Sequence, residues 1–285
     1  MINNIIFLFF CVWLCGFVVF QIISYHSLFR KSLKNKVVLV TGCDAGGFGY
    51  STVEALRKEG VVVIATCYTD DGVKKLNEEF KDTPNVVLKM DITKKEDVEA
   101  VIKETSKVLQ QRKTNLYGLV NNAGVAEWGL FECIPLHRFN HVINVNLFGM
   151  TTLTRYCIPL MRRDTFETRQ TPRQFLQLLL TICKQWVLHR GTRGRIVNIC
   201  SVAGRLIGPS ISCYSISKAG AIAFTDSIRI ELQSLFGIWA CTVEPQFTSS
   251  AMVTKSKETQ LVKQIFEKEL SPDLQSIYQL CFFSK

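Results

Sequence analysis

The chain has 285 residues, 47% of them hydrophobic, and a formal net charge of +10 at pH 7. This length allows one large α/β domain or two small ones. Two segments hold the whole basic excess: residues 30–36 contribute +4 and residues 162–195 contribute +6. A nucleic-acid-binding domain spreads its basic side chains over a folded face, so this clustering argues against a nucleic-acid partner and favours an anionic lipid surface.

The chain begins with an apolar stretch, in which nineteen residues, 5–23, include no charged side chain. Such a stretch is long enough to cross a bilayer as a helix. No basic side chain precedes it, as a cleaved secretory signal would require, so we interpret it as an uncleaved, single-pass membrane anchor. The basic residues that follow it place the main domain in the cytosol by the positive-inside rule. We therefore expect an anchor and basic segment over 1–35 and a folded domain over 36–285.

Six short apolar segments, rich in β-branched residues, predict buried strands. They lie at 36–41, 61–66, 85–90, 116–121, 195–200 and 238–243. Helix-length segments separate most of them, for example 50–59, 96–110, 137–162 and 214–236. Alternation of strand and helix predicts a single α/β domain with a doubly wound, Rossmann-like parallel sheet.

The first predicted strand ends in "TGCDAGGFG" (41–49), which leads directly into a helix. Glycines at such a turn let the backbone approach a pyrophosphate, which the helix N-terminus then holds. The segment does not match G-x-G-x-x-G, so an ordinary glycine-rich turn is the alternative. Its place after the first strand favours nucleotide binding.

Other polar segments follow later strands. Asp91 ends the third strand, "NNAG" (121–124) the fourth and "ICSVAG" (199–204) the fifth. Ligands of doubly wound sheets bind at the carboxyl ends of the strands, where these segments lie. Tyr214 and Lys218 are four residues apart, so on a helix they share one face, where the ammonium favours the ionised phenol.

Three other site types are disfavoured. Nine of the eleven cysteines are scattered singly outside the anchor, without a C-x-x-C pair, which indicates free thiols in a reducing compartment. His137 and His141 have helical spacing but no third zinc ligand nearby. Ser201 lacks the flanking glycines of a hydrolase nucleophile elbow.

The ordered motifs resemble the short-chain dehydrogenase/reductase family over most of residues 36–250. The segments "TGCD", "YGLVNNAG" and "GRIVNICSVAGR" are most similar to membrane-associated retinol and hydroxysteroid dehydrogenases and to 3-hydroxybutyrate dehydrogenases. The resemblance implies hydride transfer between a nicotinamide cofactor and an alcohol or carbonyl group. A retinoid or hydroxysteroid is the expected lipophilic substrate, and a homodimer is the expected assembly.

The resemblance also implies residue roles. Tyr214 would be the general acid/base, Lys218 would lower its pKa and bind the nicotinamide ribose, and Ser201 would bond the substrate oxygen. Asn146, with Asn144 as its rival, would hold a helix kink and a water for proton relay. The implied cofactor-binding residues are Thr41, Gly42, Gly46, Gly47, Gly49, Asp91, Asn122, Ala123, Gly124, Tyr214, Lys218, Pro245 and Thr248.

The positions that usually bind the 2′-phosphate of NADP offer no basic side chain. They hold Thr66, Cys67 and Ala45, and acidic residues lie nearby at Asp44, Asp70 and Asp71. NAD is therefore favoured over NADP.

Several features depart from the family pattern. Gly46 and Gly47 compete for one role, because the glycine loop is one residue longer, and Gln246 replaces a glycine, which would displace Thr248. The chain also ends before the family's closing helix and last strand. Residues 164–193 form an apparent insertion, interpreted either as a helix packed on the domain or as an interfacial membrane helix.

These departures leave two alternatives to the lipophilic-alcohol dehydrogenase. One is a catalytically silent membrane-bound isoform. The other is a 3-hydroxybutyrate dehydrogenase, for which Arg205 is the candidate cation in the pocket. The expected location is the endoplasmic reticulum membrane with the domain facing the cytosol, and a mitochondrial membrane is the alternative.

Overall fold

A computed structural model describes residues 33–44, 46–81, 83–162, 194–246, 268 and 271–275. The chain divides at Lys34 into two units, and the domain described below is the second, from Asn35 onward. The predicted anchor (5–23), the segment 164–193 and Thr248 lie outside the described residues. Within the described ranges, no helix is long and apolar enough to cross a membrane.

Six strands form one sheet in which every neighbouring pair is parallel. The strands are β1 (Val37–Val40), β2 (Val62–Cys67), β3 (Val86–Lys89), β4 (Leu116–Asn121), β5 (Arg195–Ile199) and β6 (Trp239–Val243). Their order is β3-β2-β1-β4-β5-β6, the doubly wound arrangement that the sequence predicts. The predicted Rossmann-like architecture is therefore confirmed.

Helices connect these strands. They are α1 (Phe48–Lys58), α2 (Asp70–Glu79), α3 (Lys95–Arg112), α4 (Leu136–Ile143), α5 (Met150–Met161) and α6 (Ser212–Phe236). The sequence predicts one helix over 137–162, whereas the structure joins α4 to α5 through a π-helical turn, Asn144–Gly149. This turn holds more residues than regular α geometry, so it changes the direction of the side chains on either side.

The core follows from the strand composition. All residues of β1 and β2 are buried, as expected for strands covered on both faces. Leu39, Ile64 and Leu119 of the sheet belong to one apolar cluster with Leu153 of α5 and Leu232 of α6. The seven cysteines in the described ranges are free thiols, six of them buried.

A buried polar chain ties β4 and β5 to two helices. The Asn121 amide donates to Thr154 Oγ1 and to Asn198 Oδ1, both at 2.8 Å. The Asn198 amide donates in turn to Thr225 Oγ1 at 2.7 Å. Because buried polar groups are costly without partners, these bonds fix α5 and α6 on the sheet next to the carboxyl ends of the strands.

The two described ends that flank residues 163–193 are neighbours. A Cβ placed on Gly194 would lie 3.2 Å from the Met161 Cβ. The Asn115 side chain donates to the Arg162 carbonyl at 2.9 Å, and the Gly194 carbonyl accepts from Trp239 N at 3.0 Å. The end of α5 and the start of β5 are therefore close together in space.

Candidate active site

A cavity of about 600 Å³ opens at the carboxyl ends of the central strands. It is bordered by segments that follow β1, β2, β4 and β5, so strand order alone brings distant parts of the chain together. Ser201, Tyr214 and Lys218 line it together with the apolar side chains of Trp128 and Val145.

The ends of β1 and β4 are joined by reciprocal hydrogen bonds. Thr41 Oγ1 accepts from the amides of Asn122 and Ala123, both at 3.0 Å. The Asn122 side chain donates to the carbonyls of Thr41 at 2.9 Å and Gly42 at 2.8 Å. Two predicted cofactor-binding segments are thus held as one surface.

The glycines of the first turn differ in what they provide. Gly42 has a φ of +68°, and a Cβ there would lie 2.7 Å from the Ala123 Cα, so the close approach of two backbones requires glycine. Gly49 is more crowded still, by the Gly42 carbonyl and the Asn122 side chain. Gly46 has a φ of +82° with open space around it. Gly47 is the N-cap residue of α1 and lines the cavity. Because glycine has no side chain, no cap hydrogen bond is made to the first amides of the helix.

Asp44 connects the glycine turn to the loop after β2. Its carboxylate accepts from the amides of Tyr68 and Thr69, both at 3.0 Å, and from Thr69 Oγ1 at 2.5 Å. All three residues line the cavity. A negative charge therefore lies at the end of β2, while the Lys89 ammonium is paired with Asp70 at 2.7 Å.

Three hydroxyl or amino groups converge at the other end of the cavity. Ser201 lies two residues after the end of β5, and its hydroxyl accepts from the Ala203 amide at 3.2 Å. Tyr214 lies in the first turn of α6. One turn further on, Lys218 Nζ lies 5.6 Å from the centre of the Tyr214 ring and donates to the Ile199 carbonyl at 2.9 Å.

Burial dominates the electrostatics of this group. It raises the pKa of Tyr214, and the hydrogen bond with Ser201 offsets part of that rise. Burial also lowers the pKa of Lys218 to about 8, so the side chain is mostly protonated at neutral pH but titrates nearby.

Asn146 and not Asn144 faces the site. Asn146 is buried in the π turn, where its Oδ1 accepts from the Val125 amide and its Nδ2 donates to the Val125 carbonyl, both at 2.8 Å. Its Nδ2 also donates to Ser217 Oγ at 3.0 Å. Asn144 is exposed.

The remaining predicted residues divide between the cavity and its margins. Asp91, Ala123, Gly124 and Pro245 line the cavity, and so does Gln246. Thr248 lies outside the described residues, so its predicted role stays a prediction.

Arg205 lies on the lip after Ser201. Its guanidinium makes two hydrogen bonds with the Glu244 carboxylate, at 2.6 and 2.9 Å, and it is not among the described cavity-lining residues. The Val202 amide donates to the Pro245 carbonyl at 3.1 Å. The loop after β5 and the end of β6 are thereby joined.

Two sets of contacts in the site have no local signal in the sequence. The contacts of Asp44 with the β2–α2 loop depend on the packing of distant strands and have no local signal. Ser217 lies within the Tyr214–Lys218 turn, and its bond to Asn146 depends on the π turn.

Comparisons with known proteins agree with this geometry. The family model described as short chain dehydrogenase matches residues 36–168 and 175–261. The chain is 32% identical to 17-beta-hydroxysteroid dehydrogenase type 6 of Bos taurus over 252 residues, covering 88% of this chain and 68% of the relative. It is 32% identical to retinol dehydrogenase 16 of Mus musculus over 249 residues, covering 86% and 67%. It is 33% identical to mitochondrial D-beta-hydroxybutyrate dehydrogenase of Bos taurus over 215 residues, covering 74% and 54%.

The chain thus spans between 54% and 68% of the length of these relatives. Among solved structures, it is similar to 3-ketoacyl-(acyl-carrier-protein) reductase from Brucella melitensis complexed with NADH. The TM-score is 0.61 at 25% identity, with 78% of this chain and 79% of that chain covered.

Proposed function

The chain belongs to the short-chain dehydrogenase family, and we propose that it transfers a hydride between a nicotinamide cofactor and an alcohol or carbonyl group of a lipophilic substrate. The observation that carries the proposal is the convergence of Ser201, Tyr214 and Lys218 on one cavity with apolar walls. The named relatives are dehydrogenases of hydroxysteroid, retinol and hydroxybutyrate, which are alcohols.

The residues present fit a dinucleotide. The bare backbone at Gly42, which a Cβ would fill, and the uncapped N-terminus of α1 suit a pyrophosphate. Asn122 and Ala123, whose amides bond to Thr41 at the end of β1, would support the cofactor from the β4 side. When bound, the nicotinamide supplies or accepts the hydride.

The proton is handled by this chain's own side chains. In reduction, Tyr214 Oη donates its proton to the substrate oxygen, and in oxidation the phenolate accepts it. Ser201 Oγ holds the same oxygen, and the Lys218 ammonium favours the phenolate electrostatically. Burial raises the pKa of Tyr214 and so opposes its ionisation, and Ser201 offsets part of that rise.

We propose NAD rather than NADP as the cofactor. The Asp44 carboxylate lies at the end of β2, where an adenosine ribose binds in this type of sheet. It would accept hydrogen bonds from ribose hydroxyls and repel a 2′-phosphate.

A lipophilic substrate is favoured over a small anionic one. A carboxylate substrate needs a cation in the cavity, and Arg205 is instead paired with Glu244. His141 and Lys218 are the basic side chains among the described lining residues, and Lys218 is buried beside Tyr214. Hydroxybutyrate stays the second candidate, since one relative acts on it by name and His141 lines the cavity.

The membrane location is also part of the proposal. The apolar stretch 5–23 and the basic residues after it support a single-pass anchor with the domain in the cytosol. The endoplasmic reticulum is the proposed membrane, and a mitochondrial membrane is the alternative suggested by the mitochondrial relative.

The test combines binding with turnover. We expect the purified protein to bind NADH, detected by quenching of tryptophan fluorescence, since Trp128 lines the cavity. Retinol or a hydroxysteroid should be oxidised faster than 3-hydroxybutyrate. Tyr214→Phe should abolish turnover with nearly unchanged NADH affinity, while the control Tyr156→Phe, outside the cavity on α5, should behave as wild type.

Three outcomes would count against parts of this proposal. Absence of NADH binding rejects every enzymatic function. Equal loss of affinity and turnover in Tyr214→Phe means that the acid/base is another residue. Turnover of 3-hydroxybutyrate alone, lost in His141→Ala, favours the second candidate.

A further inference from the structure

Ser217 is a fully buried serine between Tyr214 and Lys218 on α6, with 0% of its surface exposed. Its hydroxyl donates to the Tyr214 carbonyl at 2.7 Å and accepts from Asn146 Nδ2 at 3.0 Å. A single hydroxyl therefore bonds both to the helical turn that presents Tyr214 and to the π turn that presents Asn146.

The other bonds of the Asn146 amide lead to the loop after β4. Both of its ends bond to the Val125 backbone. The neighbouring Gly124 is enclosed by the same groups, because a Cβ there would lie 3.2 Å from Asn146 Oδ1 and 3.5 Å from Lys218 Nζ. Asn146 thus fixes this loop, and its bond to Ser217 fixes the loop relative to α6.

We propose that Ser217 is a positioning residue for hydride transfer. Its hydroxyl holds the π turn and the loop after β4 against the α6 turn that carries Tyr214 and Lys218. The inference rests on the proposed function, in which those two side chains act on the substrate oxygen and the cofactor. Loss of the hydroxyl lets the two surfaces shift, and small shifts at a reacting centre are costly for rate.

The same helical turn provides a matched control. Ser215 is also buried, with 2% of its surface exposed. Among the described residues its hydroxyl has no hydrogen-bond partner. Ser215→Ala and Ser217→Ala remove the same atom from the same turn, but only the second breaks the link to Asn146.

The experiment measures kcat, KM and NADH affinity of both variants with the best alcohol substrate. For Ser217→Ala we expect kcat to fall about tenfold, with little change in KM or NADH affinity. This is less than the roughly hundredfold loss that a misplacement near 1 Å causes, because we expect a smaller shift. Ser215→Ala should keep wild-type kcat. Ser217→Thr, which retains a hydroxyl, should recover most of the rate, and Ser217→Cys, with its weak donor, is the replacement if the alanine variant does not fold.

A double-mutant cycle identifies the partner. If Ser217 acts through Asn146, the double variant Asn146→Ala, Ser217→Ala should be no slower than Asn146→Ala alone. Wild-type kcat in Ser217→Ala, equal losses in both serine variants, or fully additive losses in the cycle would overturn the inference. Failure of the proposed function gives a different result: the wild type itself neither binds NADH nor oxidises an alcohol. In that case both proposals fail together.

Discussion

Asp44 is a single carboxylate with one task in the fold and, in the proposed function, a second task in the choice of cofactor. It accepts three hydrogen bonds from the loop after β2, which hold that loop beside the glycine turn. Its charge remains at the cavity wall, where a 2′-phosphate would meet it. Two unit charges about 4 Å apart interact by about 1 to 4 kcal/mol across the range from water to a protein surface.

Neutralising this charge should therefore change cofactor preference. Asp44→Asn keeps the size and one acceptor oxygen, so we expect the ratio of NADPH to NADH affinity to rise about tenfold. Fluorescence titration with both cofactors measures it. The control is Asp71→Asn, an acid on α2 outside the described cavity lining. An unchanged ratio in Asp44→Asn would assign the preference to another residue.

Lys218 makes stability depend on pH. Burial lowers its folded pKa to about 8, against 10.5 as the ordinary value. Between these values the unfolded chain binds more protons than the folded one, so the free energy of unfolding rises with pH across this interval. The size of the effect is about 3 kcal/mol, because each pKa unit corresponds to about 1.4 kcal/mol.

Lys218→Met should lack this rise. Urea unfolding of the cofactor-free wild type and variant at pH 7.5 and at pH 10.5 measures the difference, and other titrating groups cancel in the comparison. We expect the wild type to gain on the variant by about 3 kcal/mol as the pH rises. If the free energies of unfolding of the two proteins change with pH in parallel, Lys218 is solvated and not buried.

At the scale of elements, the junction of β1 with β4 is the tightest point of the site. Gly42→Ala combines a strained positive φ with overlap against Ala123, whereas Gly46→Ala has the positive φ in open space. Left-handed strain costs about 1–2 kcal/mol, so Gly46→Ala should lose about that much stability. Gly42→Ala should lose more and should also weaken NADH binding, because the two backbones must separate. Thermal unfolding and NADH titration compare the pair, and equal losses would contradict the close approach.

The sequence predicted elements whose signal is local. All six strands lie within one residue of their predicted bounds, because uninterrupted β-branched segments suit strands buried on both faces. The family resemblance implied a helix kink at Asn146, which lies in the π turn, but the local pattern over 137–162 gives no sign of the extra residue in that turn. Helix α2 was not among the named helices, although Thr69 caps it and Asp70 and Asp71 occupy its first turn.

In the candidate site, too, residues with a local signal were predicted and residues that act through distant contacts were not. Strand order and the family resemblance located Ser201, Tyr214 and Lys218, because each lies at a fixed distance from a strand end or within one helical turn. The difference between Gly46 and Gly47 could not be predicted from the sequence, because it lies in the backbone: of the two, Gly46 has a positive φ and Gly47 lines the cavity. Asp44 and Ser217 act through contacts with residues far along the chain, which local pattern cannot predict.

At the scale of the whole molecule, Met161 and Gly194 are neighbours, so we predict that the sheet does not need residues 164–193. Replacement of this segment by a short glycine–serine linker should leave cofactor binding intact. The replacement should leave the free energy of unfolding unchanged or raise it by up to about 2 kcal/mol, because closing a shorter loop costs less entropy. Thermal unfolding and NADH titration test this. Loss of folding would show that the segment is part of the domain core and not an insertion.

Residues 164–193 also separate the proposed cofactor-binding residues from the proposed acid/base residues along the chain. The turns after β1 and β4 that are proposed to bind the cofactor precede residues 163–193, and the groups proposed to handle the proton follow them, after β5 and on α6. A protease cut between residues 164 and 193 would yield two fragments, each with half of a catalytic centre. They would be held together by the β4–β5 pairing and by the Asn146–Ser217 bond. Enzymatic activity would then report reassembly of the sheet, so this protein is suited to fragment complementation.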